Sequence, residues 1–196
     1  MKMYRAVPKT GFVENKVYEG QTTKRLPSNV PYIVDNIWEW CRPSDAPSRR
    51  HAVYASPTAE LALQNASAVG FNKDDYFICQ LVFTDPNIKL AHLIIKDARE
   101  HDDISRIMRH VNKYFGKDFS GLSIVDKSKH APLYLPSVNK EDLEEYFQSL
   151  GDNYELAQSL KLVTQFWSDV TFEPKNHNGE LFFELSPTGT YTLEPI

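Results

Sequence analysis

Apolar positions along this chain follow two rhythms: a two-residue alternation in short stretches, and a three- and four-residue spacing in longer ones. The first is the signature of strands and the second of helices. Residues 2–7 alternate weakly and stop at Pro8, a short first strand with Arg5 near its end. VPYIVDNIWEWC sets Ile33, Ile37, Trp38 and Cys41 on one stripe of a short helix, and 42–50, with Pro43 and Pro47, reads as an exposed loop. In HAVYASPTAELALQNASAVG a strand at 52–55 gives way to Ser56 as N-cap, Pro57 at the first helical position, a helix over 59–68 and Gly70 as its stop. YFICQLVFT at 76–84, closed by Asp85-Pro86, predicts a buried strand, and IKLAHLII at 88–95 adds another. Helical faces follow: Ile104, Ile107, Met108, Val111 and Phe115 over 102–115; Leu143, Tyr146, Phe147 and Leu150 from Asn139 onward; Leu156, Leu160, Val163, Phe166 and Trp167 over 154–170. GELFFEL, the turn SPTG and TYTLEP predict a closing β-hairpin.

Composition bounds this picture. A chain of 196 residues, 41% hydrophobic and 12% aromatic, buries a substantial core as one elaborated domain. A net charge of −4 argues against broad affinity for a phosphate backbone, which needs many cationic contacts. Positive charge does concentrate early, at Lys24, Arg25, Arg42, Arg49, Arg50 and His51, so a basic groove around Arg42, Arg49 and Arg50 stays open as an anion-facing surface. Cys41 and Cys79 form no C-x-x-C pair and are expected as reduced thiols. The first residues lack a signal-type apolar core and no stretch is long enough to span a bilayer, so a cytoplasmic location, of the producer or of a target cell, is expected, without a membrane partner.

Candidate chemistry lies at three strand edges. Arg5, after Tyr4, carries a planar fork of donors suited to a phosphate. Ser56 and Thr58 flank Pro57 where strand gives way to helix, with Tyr54 just before. Glu180 opens GELFFEL after Asn178-Gly179 and shares a face with Phe182 and Glu184, so either carboxylate is available. Each has a plain structural use as well: a surface arginine, a good helix start, an exposed strand acid. The six histidines show no metal-binding spacing, and Walker, G-x-G-x-x-G and G-x-S-x-G motifs are absent from the sequence.

The order Arg5, Ser56-Pro57-Thr58, Glu180 resembles the arginine, Ser-x-Thr, glutamate pattern of mono-ADP-ribosyltransferases. That resemblance implies an α+β fold of two small packed β-sheets around an NAD cleft, with helices over 100–170 as an insertion or substrate-facing subdomain. It implies NAD as substrate and ADP-ribose transfer to a macromolecular acceptor, protein or nucleic acid, by a toxin- or effector-like enzyme with a possible neutralising partner. Arg5 is then the phosphate or ribose anchor, Ser56 and Thr58 brace the pocket, Tyr54 meets nicotinamide, Glu180 is catalytic and Asn178 places the acceptor. Where the family often carries Gln or Glu two residues before its glutamate, this chain has Asn178, a shorter amide. The competing expectation is a non-catalytic protein-binding or inhibitor module in which the 12 prolines and an exposed Trp-rich segment at 38–40 serve a protein interface.

Overall fold

A computed structural model describes residues 2–20, 25–28, 30–66, 72–84, 87–95, 97–116, 119–151, 155–174 and 178–196. The chain divides into two compact units. One, formed by Met1–Thr23, Asp45–Asp97 and Val170–Ile196, carries the sheets, and the other, Lys24–Ser44 with Ala98–Asp169, is helical among its described residues.

In the β unit, β1 (Tyr4–Pro8), β4 (Tyr76–Phe83), β8 (Thr190–Pro195) and β2 (Tyr18–Glu19) form one antiparallel sheet in that order. A second antiparallel sheet has the order β3 (Val53–Ala55), β7 (Glu180–Leu185), β5 (Ile88–Leu93), β6 (Val170–Thr171). The mixed helix and strand content and the two sheets agree with the α+β class. Alternation explains the core. Met3 of the first sheet's leading segment, Cys79, Leu81, Tyr191 and Leu193 meet Val53, Ala55, Leu181 and Phe183 of the second sheet in one buried cluster. Phe83 stands edge-on to Phe183 with ring centroids 4.9 Å apart, tying the two sheets together. Helix α2 (Ala59–Ala66) packs on β1 and β4.

Three sequence expectations are corrected in this unit. The last two strands do not pair with each other: β7 lies between β3 and β5, whereas β8 joins β4 over Cys79–Phe83. Both have apolar faces directed into one core, and the long β4 edge gives β8 a ladder in the opposing sheet. Ser56 is not the N-cap of α2. Thr58 holds that position, its Oγ1 accepting the Leu61 N–H at 3.2 Å. The loop over 42–50 is exposed only in part: Ser44 and Asp45 are exposed, whereas Ala46, Pro47, Ser48 and Arg50 are buried. Gly70 and Asp85-Pro86, expected as stops, lie outside the described residues.

The helical unit contains α1 (Tyr32–Trp40), α3 (Asp103–Phe115), α4 (Ile124–Lys129), α5 (Ala131–Tyr134), α6 (Lys140–Ser149) and α7 (Glu155–Val163). The expected stripes supply its core: Ile33, Ile37, Ile107, Val111, Leu143, Phe147, Leu156 and Leu160 are buried. Helix α7 ends at Val163, before the expected 170, and a 3-10 turn over Phe166–Ser168 follows. Trp38 and Trp40 are buried, at 1% and 2% exposure, so the expected exposed aromatic segment is not a surface. Trp38 stacks on Phe166 with centroids 4.2 Å apart, and its Nε1 donates to Asp103.

Candidate functional site

Backbone pairing brings the candidate segments of the β unit to one set of strand ends. Tyr4 and Ser56 exchange both backbone hydrogen bonds, 2.9 Å from Tyr4 N to Ser56 O and 2.8 Å from Ser56 N to Tyr4 O, a bridge between the heads of β1 and α2. On the other side of β3, Ala55 pairs with Leu181, so one step further along each strand sets Ser56 at the register position of Glu180. Glu180 in turn pairs with Leu93 of β5. Residues far apart in the chain therefore share one row: Tyr4, Ser56, Glu180.

Arg5 lies one residue beyond that row. Its side chain alternates to the other face of β1 from Tyr4, is exposed, and donates from Nη1 to the Tyr191 hydroxyl at 3.5 Å. Tyr191 stacks on Tyr18 with centroids 5.1 Å apart, and burial pushes its phenol up while Arg5 pulls it down. Ser56 is buried, and its Oγ accepts from Asn65 Nδ2 at 3.3 Å, so the hydroxyl is held from α2. Thr58 serves the helix start. Asn178 contributes its backbone: its carbonyl oxygen meets Nε2 of the buried His92 in a short hydrogen bond. Burial lowers the His92 pKa, with the Asn178 bond opposing it. The neutral tautomer bearing the proton on Nε2 satisfies this contact.

The outer face of β7 carries Glu180, Phe182 and Glu184 in alternation, as expected, and the buried loop before β3 covers it. The Ser48 N–H donates to Glu184 Oε2 at 2.9 Å. Arg49 Nη1 stands 3.8 Å from Glu180 Oε2, a charge contact longer than a hydrogen bond, with side chains only 10% and 20% exposed. The Arg49 guanidinium lies over the rings of Tyr54, at 5.4 Å, and Phe182, at 5.6 Å. Tyr54 also donates from its hydroxyl to the Arg49 carbonyl at 3.1 Å, so the ring faces a cation supplied by the protein itself.

Three functional-looking residues escaped sequence reasoning. Arg49 belongs to the expected basic groove, but it faces Glu180, Arg50 is buried, and Arg42 belongs to the helical unit, where it pairs with Glu39 at 2.9 Å. His92 and Asn65 carried no motif signal, since their roles come from register and from the face of α2. Among the described residues no cluster of three or more His, Cys, Asp and Glu side chains is placed to hold a metal ion. A shallow hollow of about 430 Å³ in the helical unit, lined by Pro27, Ser28, Val30, Pro31 and Tyr32, includes none of the residues above. Comparison of the chain with protein-family models, with curated proteins and with solved structures found no match.

Proposed function

We propose that this chain is an NAD-consuming mono-ADP-ribosyltransferase with Glu180 as its catalytic carboxylate. The observation that carries the reading is the shared row of Tyr4, Ser56 and Glu180, which brings together strand ends whose motifs stand 52 and 124 residues apart along the chain. In this reading NAD is the substrate. Arg5, exposed one step along β1 on the face opposite Tyr4 and next to Tyr191, is assigned to its phosphate or ribose. Ser56, held by Asn65, braces the pocket, and Thr58 fixes the start of the helix behind it. As the bond from ribose to nicotinamide breaks, positive charge develops on the ribose. The Glu180 carboxylate stabilises that charge and the acceptor nucleophile then takes the anomeric carbon. Asn178 stands two residues before Glu180, where a side chain could orient the acceptor. Tyr54 is assigned beside the nicotinamide, and its ring also faces the Arg49 guanidinium.

The test is incubation with labelled NAD and a cell lysate, followed by separate protease and nuclease digestion. Label that resists nuclease and is lost to protease marks a protein acceptor, and the reverse marks nucleic acid. Glu180→Gln, nearly isosteric, is expected to reduce nicotinamide release by at least about 100-fold while the thermal unfolding midpoint holds. Release at the wild-type rate by that variant, or none by the wild type, refutes the assignment. The alternative of a non-catalytic binding module loses one of its two supports, because the tryptophans meant to form its surface are buried.

A further inference from the structure

Two carboxylates, Glu180 and Glu184, lie four residues apart on one face of β7. Phe182 between them is fully buried. A single dipeptide answers both: the Ser48 N–H holds Glu184 at 2.9 Å, and the Arg49 guanidinium faces Glu180 at 3.8 Å. Glu184 accepts a backbone hydrogen bond from Ser48, and Glu180 Oε2 faces the full charge of Arg49.

Arg49 is also unusually fixed for an arginine. Its backbone carbonyl is held by Tyr54, its guanidinium lies over two aromatic rings, and its preceding residue is tied to Glu184. The other ionisable groups described on the elements beside β7 are Lys89 and His92 of β5, Lys89 standing opposite Glu184 in register, Tyr54 of β3, and Asp45, Arg50 and His51 of the loop. Arg49 stands in ion-pair contact with Glu180.

We propose that Arg49 is the positioning residue of Glu180: it keeps this carboxylate ionised and aimed beside Ser56, and so sets the acid limb of the activity. The inference rests on the transferase reading for its kinetic consequence, but the coupling of the two side chains is measurable without it. A nearby opposite charge favours the ionised carboxylate, so its removal raises the pH at which Glu180 protonates.

The experiment compares wild type, Arg49→Lys and Arg49→Gln in two arms. In the first, the glutamate side-chain carboxyls are labelled with carbon-13 and titrated by NMR, with Glu180→Gln identifying the resonance. Arg49→Gln is expected to raise the Glu180 midpoint by about one unit, and Arg49→Lys by much less. In the second, nicotinamide release is followed against pH. The acid limb of kcat moves up by the same amount, giving about a tenfold loss below it with KM unchanged, and the lysine variant restores most of it. A Glu180 midpoint that stays put in Arg49→Gln, with the fold intact by circular dichroism, overturns the proposal whatever the activity does. A wild type that releases no nicotinamide, with the midpoint shifted as expected, removes the transferase reading and leaves the coupling of Arg49 to Glu180 established.

Discussion

At Gly179 the backbone takes φ 106°, and a Cβ placed there would collide with the Leu93 carbonyl oxygen and come within 2.7 Å of His92 Nε2. Only glycine meets both demands, since an L side chain is strained at that φ and the colliding oxygen belongs to a central strand of the sheet. This close approach allows the Asn178 carbonyl to reach His92 and starts β7 at Glu180. Gly179→Ala is therefore expected to cost roughly 1–3 kcal/mol and to displace Glu180. Urea unfolding reads the first effect and nicotinamide release the second. A variant with unchanged midpoint and rate would show that the turn does not position the carboxylate. Thiol chemistry gives a second residue-scale expectation. Burial pushes the Cys41 thiol up to about 11, with Lys161 the main opposing influence, and also raises Cys79. Neither is expected to react with a disulfide reagent at pH 8 in the native protein, while both react in denaturant; rapid native labelling of either would contradict this.

Among the elements, the joint of α1, α3 and the turn after α7 is organised by one buried carboxylate. Asp103 accepts from Trp38 Nε1 at 2.9 Å, Arg106 Nη1 at 3.2 Å and the backbone N–H groups of Gln165 and Phe166 at 3.0 and 2.9 Å. An acceptor-only group with two oxygens suits four donors, and an amide does not. Asp103→Asn turns an NH2 group toward N–H donors and is expected to destabilise the protein by about 3 kcal/mol or more, measured by chemical denaturation. A cost below about 1 kcal/mol would mean that the donors find other partners. This hub also marks where sequence reading stopped. Helical stripes such as Ile107 with Val111 and Leu156 with Leu160 were legible, because a 3.6-residue period states its own buried face. Asp103 was not, since a carboxylate at a helix start looks like any exposed acid until its long-range donors are known. The same limit explains the strands. Alternation marked GELFFEL and TYTLEP as strands, but their partners depend on which edge of which sheet each can reach, and that is a property of the assembled unit. Ser48, Arg49 and Arg50 failed in the other direction. A polar, proline-flanked loop reads as surface, and its burial comes from the carboxylates of β7 that it covers.

For the molecule as a whole, acid stability follows from two histidines, one in each unit. His92 is buried in the β unit against the Asn178 carbonyl. His130 of the helical unit sits 3.0 Å from the Tyr146 hydroxyl, with its ring 4.4 Å from that of Phe115. Burial lowers both pKa values, helped at His130 by Lys129. A histidine with a depressed folded pKa binds fewer protons in the native state than in the unfolded one at pH values between the two pKa values. Stability there rises with pH. Its contribution is complete above the unfolded value of about 6.5 and is lost as pH falls toward and through the folded value. Wild-type stability is thus expected to drop on going from pH 7.5 to 5.5. The drop should be smaller in His92→Gln, whose amide can still donate to the Asn178 carbonyl but does not titrate in this range. It should be smaller again in His92→Gln/His130→Gln. The two sites belong to separate packing units, so their contributions to the slope should add. Urea midpoints at four or five pH values for the three proteins measure this directly. Parallel curves for wild type and the double variant would place the acid sensitivity in other groups.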